Sequence, residues 1–342
     1  MEHDLDPATT SSTPTGSMAA IVQEAWGTEP DTALRLAQID RPRVAAGEVL
    51  VQVAAASVDM GTVHCMTGEP YAMRLAGFGI RRPKAANPGR AFAGTVASVG
   101  ADVTGFRPGD DVYGTCNGSF AEYVRVKPSK LAPKGASVPF EQAAAAPISG
   151  VTALQAVRKA NLAAGQHVLV IGASGGVGSF AVQIAKDMGA TVTGVCRTAK
   201  VDFVRSLGAD HVVDYTRHDI TDVAHRYDAI LDIAGNRTLS SLRRCLTRRG
   251  TLVIVGGETD GRWLGGFVGR SLHAMGLSPF VSQTLRVLAS KENAADLEDL
   301  GQLLDDGSVT AAVDTTYPLG ETPAAIRRVM DGDVRGKVVI TV

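Results

Sequence analysis

A chain of 342 residues is long enough for two domains of ordinary size, and a hydrophobic fraction of 45% supplies both cores. Charged residues make up 20% and the formal net charge is -1, so no whole-chain attraction to nucleic acid or to an anionic membrane is expected. No apolar run approaches the ~20 residues a membrane-spanning helix requires.

Residues 1–17 are acidic and rich in Ser, Thr and Pro, without the apolar core of a secretory signal. They read as a disordered leader, with Met18 available as an alternative start. From residue 19 to about 147 the pattern is β-like. Short apolar runs at 49–55, 94–99 and 121–126 are separated by turn pairs such as Ala46-Gly47, Pro108-Gly109 and Asn117-Gly118. The cysteines Cys65, Cys116, Cys196 and Cys245 form no CxxC pair, which argues against a disulfide framework or structural zinc. Reduced packing thiols in the cytoplasm are the expectation.

The character changes near Gln142. Ala-rich helices are predicted at 142–146 and 153–159, a strand at 167–171, a helix at 180–188 and a strand at 191–195. Further alternation predicts a helix at 202–207, strands at 211–215, 227–233 and 251–255, and a helix at 239–246. Strand–helix alternation implies a parallel sheet with helices on both faces. Beyond Gly257, residues 261–278 are glycine-rich and poorly periodic. A helix at 294–304 and strands at 313–319 and 337–342 close the chain. The resulting division is 18–147 with 291–342 in one domain and 148–290 in the other.

The segment Gly172-Ala173-Ser174-Gly175-Gly176-Val177-Gly178 ends one predicted strand and opens a helix. Its Ala173-x-Gly175-x-x-Gly178 spacing is a variant of the dinucleotide fingerprint. Small residues there allow a sharp turn, close approach of a pyrophosphate and tight helix–strand packing. The helix N-terminus adds free N–H groups and partial positive charge. Ser174, Gly175, Gly176, Val177 and Gly178 are therefore the candidate phosphate cradle. The tip of the second strand reads Cys196-Arg197-Thr198-Ala199-Lys200. It lacks the carboxylate that accepts a ribose 2′-OH in NAD enzymes and carries two cations suited to a 2′-phosphate. The cofactor read from it is NADP(H), with Cys196, Arg197, Thr198 and Lys200 as candidate ligands.

These features, in this order, resemble the medium-chain dehydrogenase/reductase superfamily, and within it the quinone oxidoreductase branch. Further landmarks are Ala56-Ser57-Val58-Asp59-Met60, Pro88-Gly89-Arg90-Ala91-Phe92-Ala93-Gly94, Leu207-Gly208-Ala209-Asp210 and Gly336-Lys337-Val338-Val339. The resemblance implies an α/β architecture: a GroES-like β-rich catalytic domain with an inserted Rossmann domain, a doubly wound parallel sheet. It also implies that Tyr215 lies near the adenosine phosphate, that Val255, Gly256 and Gly257 face the nicotinamide, and that Thr152 and Lys337 line the cleft. Residues 261–279 match a region of subunit contact and cleft rim, and Trp263, Leu264, Phe267, Leu272 and Phe280 are read as interface, pocket floor or ordinary internal packing; members of the branch are commonly dimers, so a homodimer is expected.

Zinc-dependent members supply three metal ligands at positions that here carry Asp59, Arg90-Ala91 and Ile148, so a zinc-independent protein is expected. His167, His211, His218, His225 and His273 show no metal-ligand spacing. Without a Lewis acid, hydride delivery requires an acceptor that is already electrophilic, such as a quinone or an enone. His64, shortly after Asp59, is a candidate proton donor and equally a plain hydrogen-bonding histidine. Asp59 stands where the branch usually has asparagine, and is either functional or solvent-facing. Two alternatives remain open: an alcohol dehydrogenase, and an NADPH-binding sensor without turnover.

Overall fold

The computed structural model describes residues 16–222, 226–257, 263 and 265–342. Most of the expected leader, His225, Leu264 and residues 261–262 of the glycine-rich stretch lie outside the described residues. β1 (Ser17–Val22) pairs antiparallel with β2 (Arg35–Asp40), with Ser17 opposite Asp40, so ordered structure begins inside the stretch read as leader.

The strand-rich first part forms β3 (Val49–Val58), β4 (Ala91–Val99), β5 (Asp111–Thr115), β6 (Tyr123–Val126) and β7 (Leu131–Pro133). The alternating part forms β8 (His167–Ile171), β9 (Thr191–Cys196), β10 (His211–Asp214), β11 (Tyr227–Asp232), β12 (Leu246–Ile254) and β13 (Thr284–Val287). The chain ends in β14 (Val313–Pro318) and β15 (Lys337–Thr341).

β8 to β13 make an all-parallel sheet in the order β10-β9-β8-β11-β12-β13. Its central strands carry consecutive apolar residues, as in residues 168–171 of β8, because both faces are covered. Val168 and Val170 of β8 enter one core, whereas Leu169 and Ile171 enter the other. Each such side chain contributes about 1.5–3 kcal/mol by leaving water. The strand order reverses between β8 and β11. The two crossovers there depart to opposite sides and leave a crevice at the carboxyl ends of the strands.

The second sheet runs β14-β15-β3-β4-β5-β7, with β6 also on β3. β15 pairs antiparallel with β3, placing Val338 opposite Val58. The C-terminal strand is thereby returned to the N-terminal sheet, as the resemblance implied. Gly94 permits the close β3–β4 approach, since a Cβ there would stand 2.0 Å from the Gln52 carbonyl oxygen.

One departure from expectation is the poorly periodic stretch after Gly257. Residues Gly265–Leu277 form a helix. Glycines at 266, 269 and 276 dilute its apolar stripe and weaken its propensity by roughly 1 kcal/mol each. Packing decides the outcome: Ala274 is fully buried, and Phe267 and Leu277 join the core beneath β12 and β13. The helix Met60–Thr67 was also not foreseen. Asp59 caps it, accepting from the Thr62 N–H at 3.0 Å, and the Thr62 hydroxyl approaches the Asp59 N–H in return. Among the described residues no helix is long and apolar enough to cross a membrane.

Candidate active site

A cleft of about 410 Å³ opens where the two sheets meet. Ile171, Cys196 and Ile233 bring the carboxyl ends of β8, β9 and β11 to it, so it occupies the switch point of the parallel sheet. Val58, Asp59 and Met60 border it from the end of β3, and Gly336, Lys337 and Val338 from the start of β15.

The glycine loop divides its residues between the cleft and the packing behind it. Ser174, Gly175, Gly176 and Val177 line the cleft. Gly175 precedes the helix Gly176–Asp187 and carries no side-chain cap, which leaves the first N–H groups of the helix for a ligand. A Cβ on Gly175 would meet nothing nearer than the Gly172 oxygen at 3.5 Å, whereas one on Gly176 would crowd Lys337 Cδ and Ser149 Oγ, both at 3.0 Å. Gly178 does not line the cleft. Its missing side chain lets the helix sit on the turn, because a Cβ would fall 2.1 Å from the Gly172 oxygen. The residues present therefore fit a bound dinucleotide: a bare-backbone cradle at a helix N-terminus beside a sheet crevice.

Cys196, Arg197 and Lys200 at the end of β9, and Tyr215 just after β10, line the cleft. The two cations are not equivalent. Lys200 is buried and donates to the carbonyls of Gly332 at 3.0 Å and Val334 at 2.7 Å, and burial lowers its pKa. It is a strut between domains rather than an open phosphate ligand. Arg197 also donates to the Gly332 carbonyl, and lies 3.5 Å from Asp333. Thr198 is turned away: its hydroxyl donates to Asp214 at 2.6 Å and lies 2.9 Å from that of Thr216. Burial pushes the Cys196 thiol up to about 11, so it is protonated at neutral pH.

Hydrogen bonds from Thr198 and Thr216 hold the Asp214 carboxyl below its ordinary value of 3.8. A carboxyl with a depressed folded pKa stabilises the fold above the unfolded value and loses that contribution as pH falls through the folded one. Thr198→Val is expected to raise the Asp214 pKa towards 3.8 in a carboxyl NMR titration. An unchanged value would show that Thr198 does not hold it.

At the opposite end Asp59 and Lys337 face each other, with Asp59 Oδ2 3.8 Å from Lys337 Nζ. The antiparallel register of β15 on β3 creates this meeting. Lys337 is 2% exposed and Asp59 10%, and neither of these two atoms has a hydrogen-bond partner. Buried polar atoms are almost always satisfied, so this donor and acceptor are open to a bound polar group. Burial lowers the Lys337 pKa and Asp59 pulls it back up.

Several expected residues lie elsewhere. His64 Nδ1 donates to the Glu69 carbonyl at 2.7 Å, since that oxygen can only accept, and the ring is not among the cleft-lining groups. Thr152 bonds Ser290 at 3.1 Å and does not reach the cleft. Val255 and Gly256 donate backbone hydrogen bonds to the Asp232 carbonyl, and Gly256 and Gly257 permit close packing on Ile233 and Phe267. Among the lining residues that sequence reasoning missed are Ser149, Arg237, Gly332 and Val334. No local motif marks them, and the sheet pairing of β15 is what brings Gly332 and Val334 there.

The positions of the zinc ligands do not assemble a zinc donor set. Asp59 already faces an ammonium, Ile148 is apolar, and Arg90 is itself a cation, paired with Glu292 at 2.9 Å. Among the described residues no three His, Cys, Asp or Glu side chains gather to hold a metal. Burial also raises the pKa of Cys65 and Cys116, against which Arg90 pulls only in part.

Residues 45–136 match the family described as alcohol dehydrogenase GroES-like domain, and residues 207–340 match that described as zinc-binding dehydrogenase. The chain is 30% identical over 273 residues to a chloroplast envelope quinone oxidoreductase homolog of Arabidopsis thaliana, covering 74% of this chain and 79% of that one. It is 29% identical to the mitochondrial NAD(P)H oxidoreductase RTN4IP1 of Mus musculus, covering 86% of this chain and 82% of that one. Among solved structures, the quinone oxidoreductase from Coxiella burnetii superposes with a TM-score of 0.83 at 27% identity, covering 96% of this chain and all of that one. With two sheets joined through β15, a glycine cradle at the switch point and quinone oxidoreductase-like relatives along most of its length, the chain belongs to the medium-chain dehydrogenase/reductase superfamily of oxidoreductases.

Proposed function

We propose that the protein is an NADPH-dependent reductase that passes hydride to a quinone or to an alkene conjugated with a carbonyl, without zinc. The observation that carries this reading is the cleft itself. It runs from Arg197, past the bare backbone of Gly175 and Gly176, to the Asp59–Lys337 pair. A nicotinamide cofactor bound there supplies the hydride. The chain's residues supply position: free N–H groups for the pyrophosphate, a guanidinium for the 2′-phosphate, and one open donor and acceptor at the far end. With no zinc donor set to polarise a carbonyl, the acceptor has to be electrophilic already.

The test is an anaerobic cuvette of metal-free protein and NADPH, to which a panel of quinones and enones is added. Cofactor oxidation that survives chelator supports the reading, and no oxidation across the panel ends it. Arg197→Ala is expected to weaken NADPH by about tenfold, the worth of one charge-assisted hydrogen bond, with little change for NADH. Equal losses for the two cofactors would remove Arg197 from the phosphate site. A homodimer is part of the proposal. Leu272, Met275 and Phe280 are 62%, 65% and 84% exposed beside β13, the edge of the parallel sheet. Sedimentation of Leu272→Glu/Met275→Glu as a monomer would support that contact, and an unchanged species would refute it.

A further inference from the structure

The tip of β9 carries no carboxylate of its own, yet one reaches it from the other domain. The turn that leads into β15 is stitched to the cofactor side of the cleft. Lys200 holds the Gly332 and Val334 carbonyls, Arg335 donates to the Ala199 carbonyl at 3.3 Å, and the Gly336 N–H donates to the Ser174 carbonyl at 2.9 Å. Asp333 sits at the centre of this turn. Its carboxylate lies 3.5 Å from Arg197, is 65% exposed, and makes no hydrogen bond among the described residues. It is paired with the guanidinium a 2′-phosphate would use and remains open to solvent.

We propose that Asp333 is a specificity-determining residue of the cofactor site, an internal counter-ion that a 2′-phosphate must displace from Arg197. This rests on the reading that the adenosine end of a nicotinamide dinucleotide lies at Arg197. The two cofactors meet Asp333 differently. A phosphate dianion brought beside a carboxylate is repelled and competes with it for one guanidinium. A free ribose 2′-OH can instead donate to that carboxylate, as it does to the strand-tip acid of NAD enzymes. Asp333 therefore disfavours NADPH and favours NADH, narrowing a preference that Arg197 creates.

The experiment is a fluorescence titration of wild type, Asp333→Asn, Asp333→Ala and Arg197→Ala with NADPH and with NADH, at low and at 0.5 M salt, where the screening length is about 4 Å. Asp333→Asn is expected to tighten NADPH by about fivefold at low salt, the scale of one exposed charge pair at contact, with NADH unchanged. Asp333→Ala keeps that gain and weakens NADH, since it also removes the acceptor. The NADPH gain shrinks at high salt. An unchanged ratio of the two affinities overturns the proposal, as does an equal shift of both, which would mean only a distorted turn. If Arg197→Ala leaves NADPH binding untouched, the adenosine end lies elsewhere and both the phosphate reading and this inference fall. If Arg197→Ala acts selectively while Asp333→Asn does not, the inference alone fails.

Discussion

Replacing Gly178 with alanine is expected to abolish dinucleotide binding and to lower stability by about 2–3 kcal/mol, the cost of overpacking a tight contact. The added Cβ would fall 2.1 Å from the Gly172 oxygen and 2.7 Å from Ala173 Cα. Both are backbone atoms of the turn that forms the cradle, so no side chain can swing aside. Either the helix Gly176–Asp187 lifts from β8 or the turn deforms, and each moves the N–H groups that face the cleft. Gly175→Ala provides the contrast. Its Cβ would meet only the Gly172 oxygen at 3.5 Å, an ordinary contact, and its φ of -86° suits any residue. That variant is expected to fold with little loss and to bind less tightly only through crowding of the ligand. Thermal unfolding and cofactor titration of both variants check this. A Gly178→Ala protein with the wild-type Tm would show that the close approach is not required.

The second large effect is expected at the far end of the cleft. Asp59→Asn leaves the Lys337 ammonium buried without a counter-charge, and removal of one member of a buried pair costs about 3 kcal/mol. Asparagine still caps the helix Met60–Thr67, so the loss reports the pair rather than the cap. Lys337→Met is expected to cost less, because Asp59 keeps its bond from the Thr62 N–H. The double variant is expected to recover most of the Asp59→Asn loss, a coupling that a denaturant series of the four proteins measures.

The pH dependence follows from the same pair. Burial holds the folded Lys337 pKa below its ordinary 10.5, so between that depressed value and 10.5 the unfolded chain binds more protons. The contribution of Lys337 to stability therefore rises with pH across that window. Loss of Asp59 deepens the depression and extends the window towards neutral pH. An Asp59→Asn protein whose stability has the wild-type pH profile would show that the two charges are not coupled. Cofactor titration of the same variants asks separately whether the open donor and acceptor serve a ligand.

How much of this was legible beforehand differs from element to element. The parallel sheet was readable because its strands announce themselves as short β-branched runs between helices of regular period. The run 167–171 followed by Gly175, Gly176 and Gly178 located both the sheet and the tight turn at its crevice, since a turn that tight admits few residues. The helix Gly265–Leu277 was not readable. Its glycines erase the periodicity, and only the core under β12 and β13 makes it helical. Arg197 and Lys200 look identical in sequence, as two cations on one strand tip. The fold separates them by burying Lys200 against two carbonyls of a distant turn, while Arg197 stays 38% exposed beside Asp333.

Local chemistry settled at the level of sequence what depends on neighbours along the chain: the strand–turn–helix cradle, the absence of a strand-tip acid on β9, and the missing zinc ligands. Tertiary structure alone decided what depends on residues far apart. The pairing of β15 with β3 set Lys337 against Asp59, and it carried Asp333 across to Arg197. Contacts with Glu69 and Ser290 place His64 and Thr152 outside the cleft. The reason is physical: a turn or a cap is fixed by backbone dihedrals within a few residues, whereas burial and ion pairing depend on which strands become neighbours, and that is a property of the whole core.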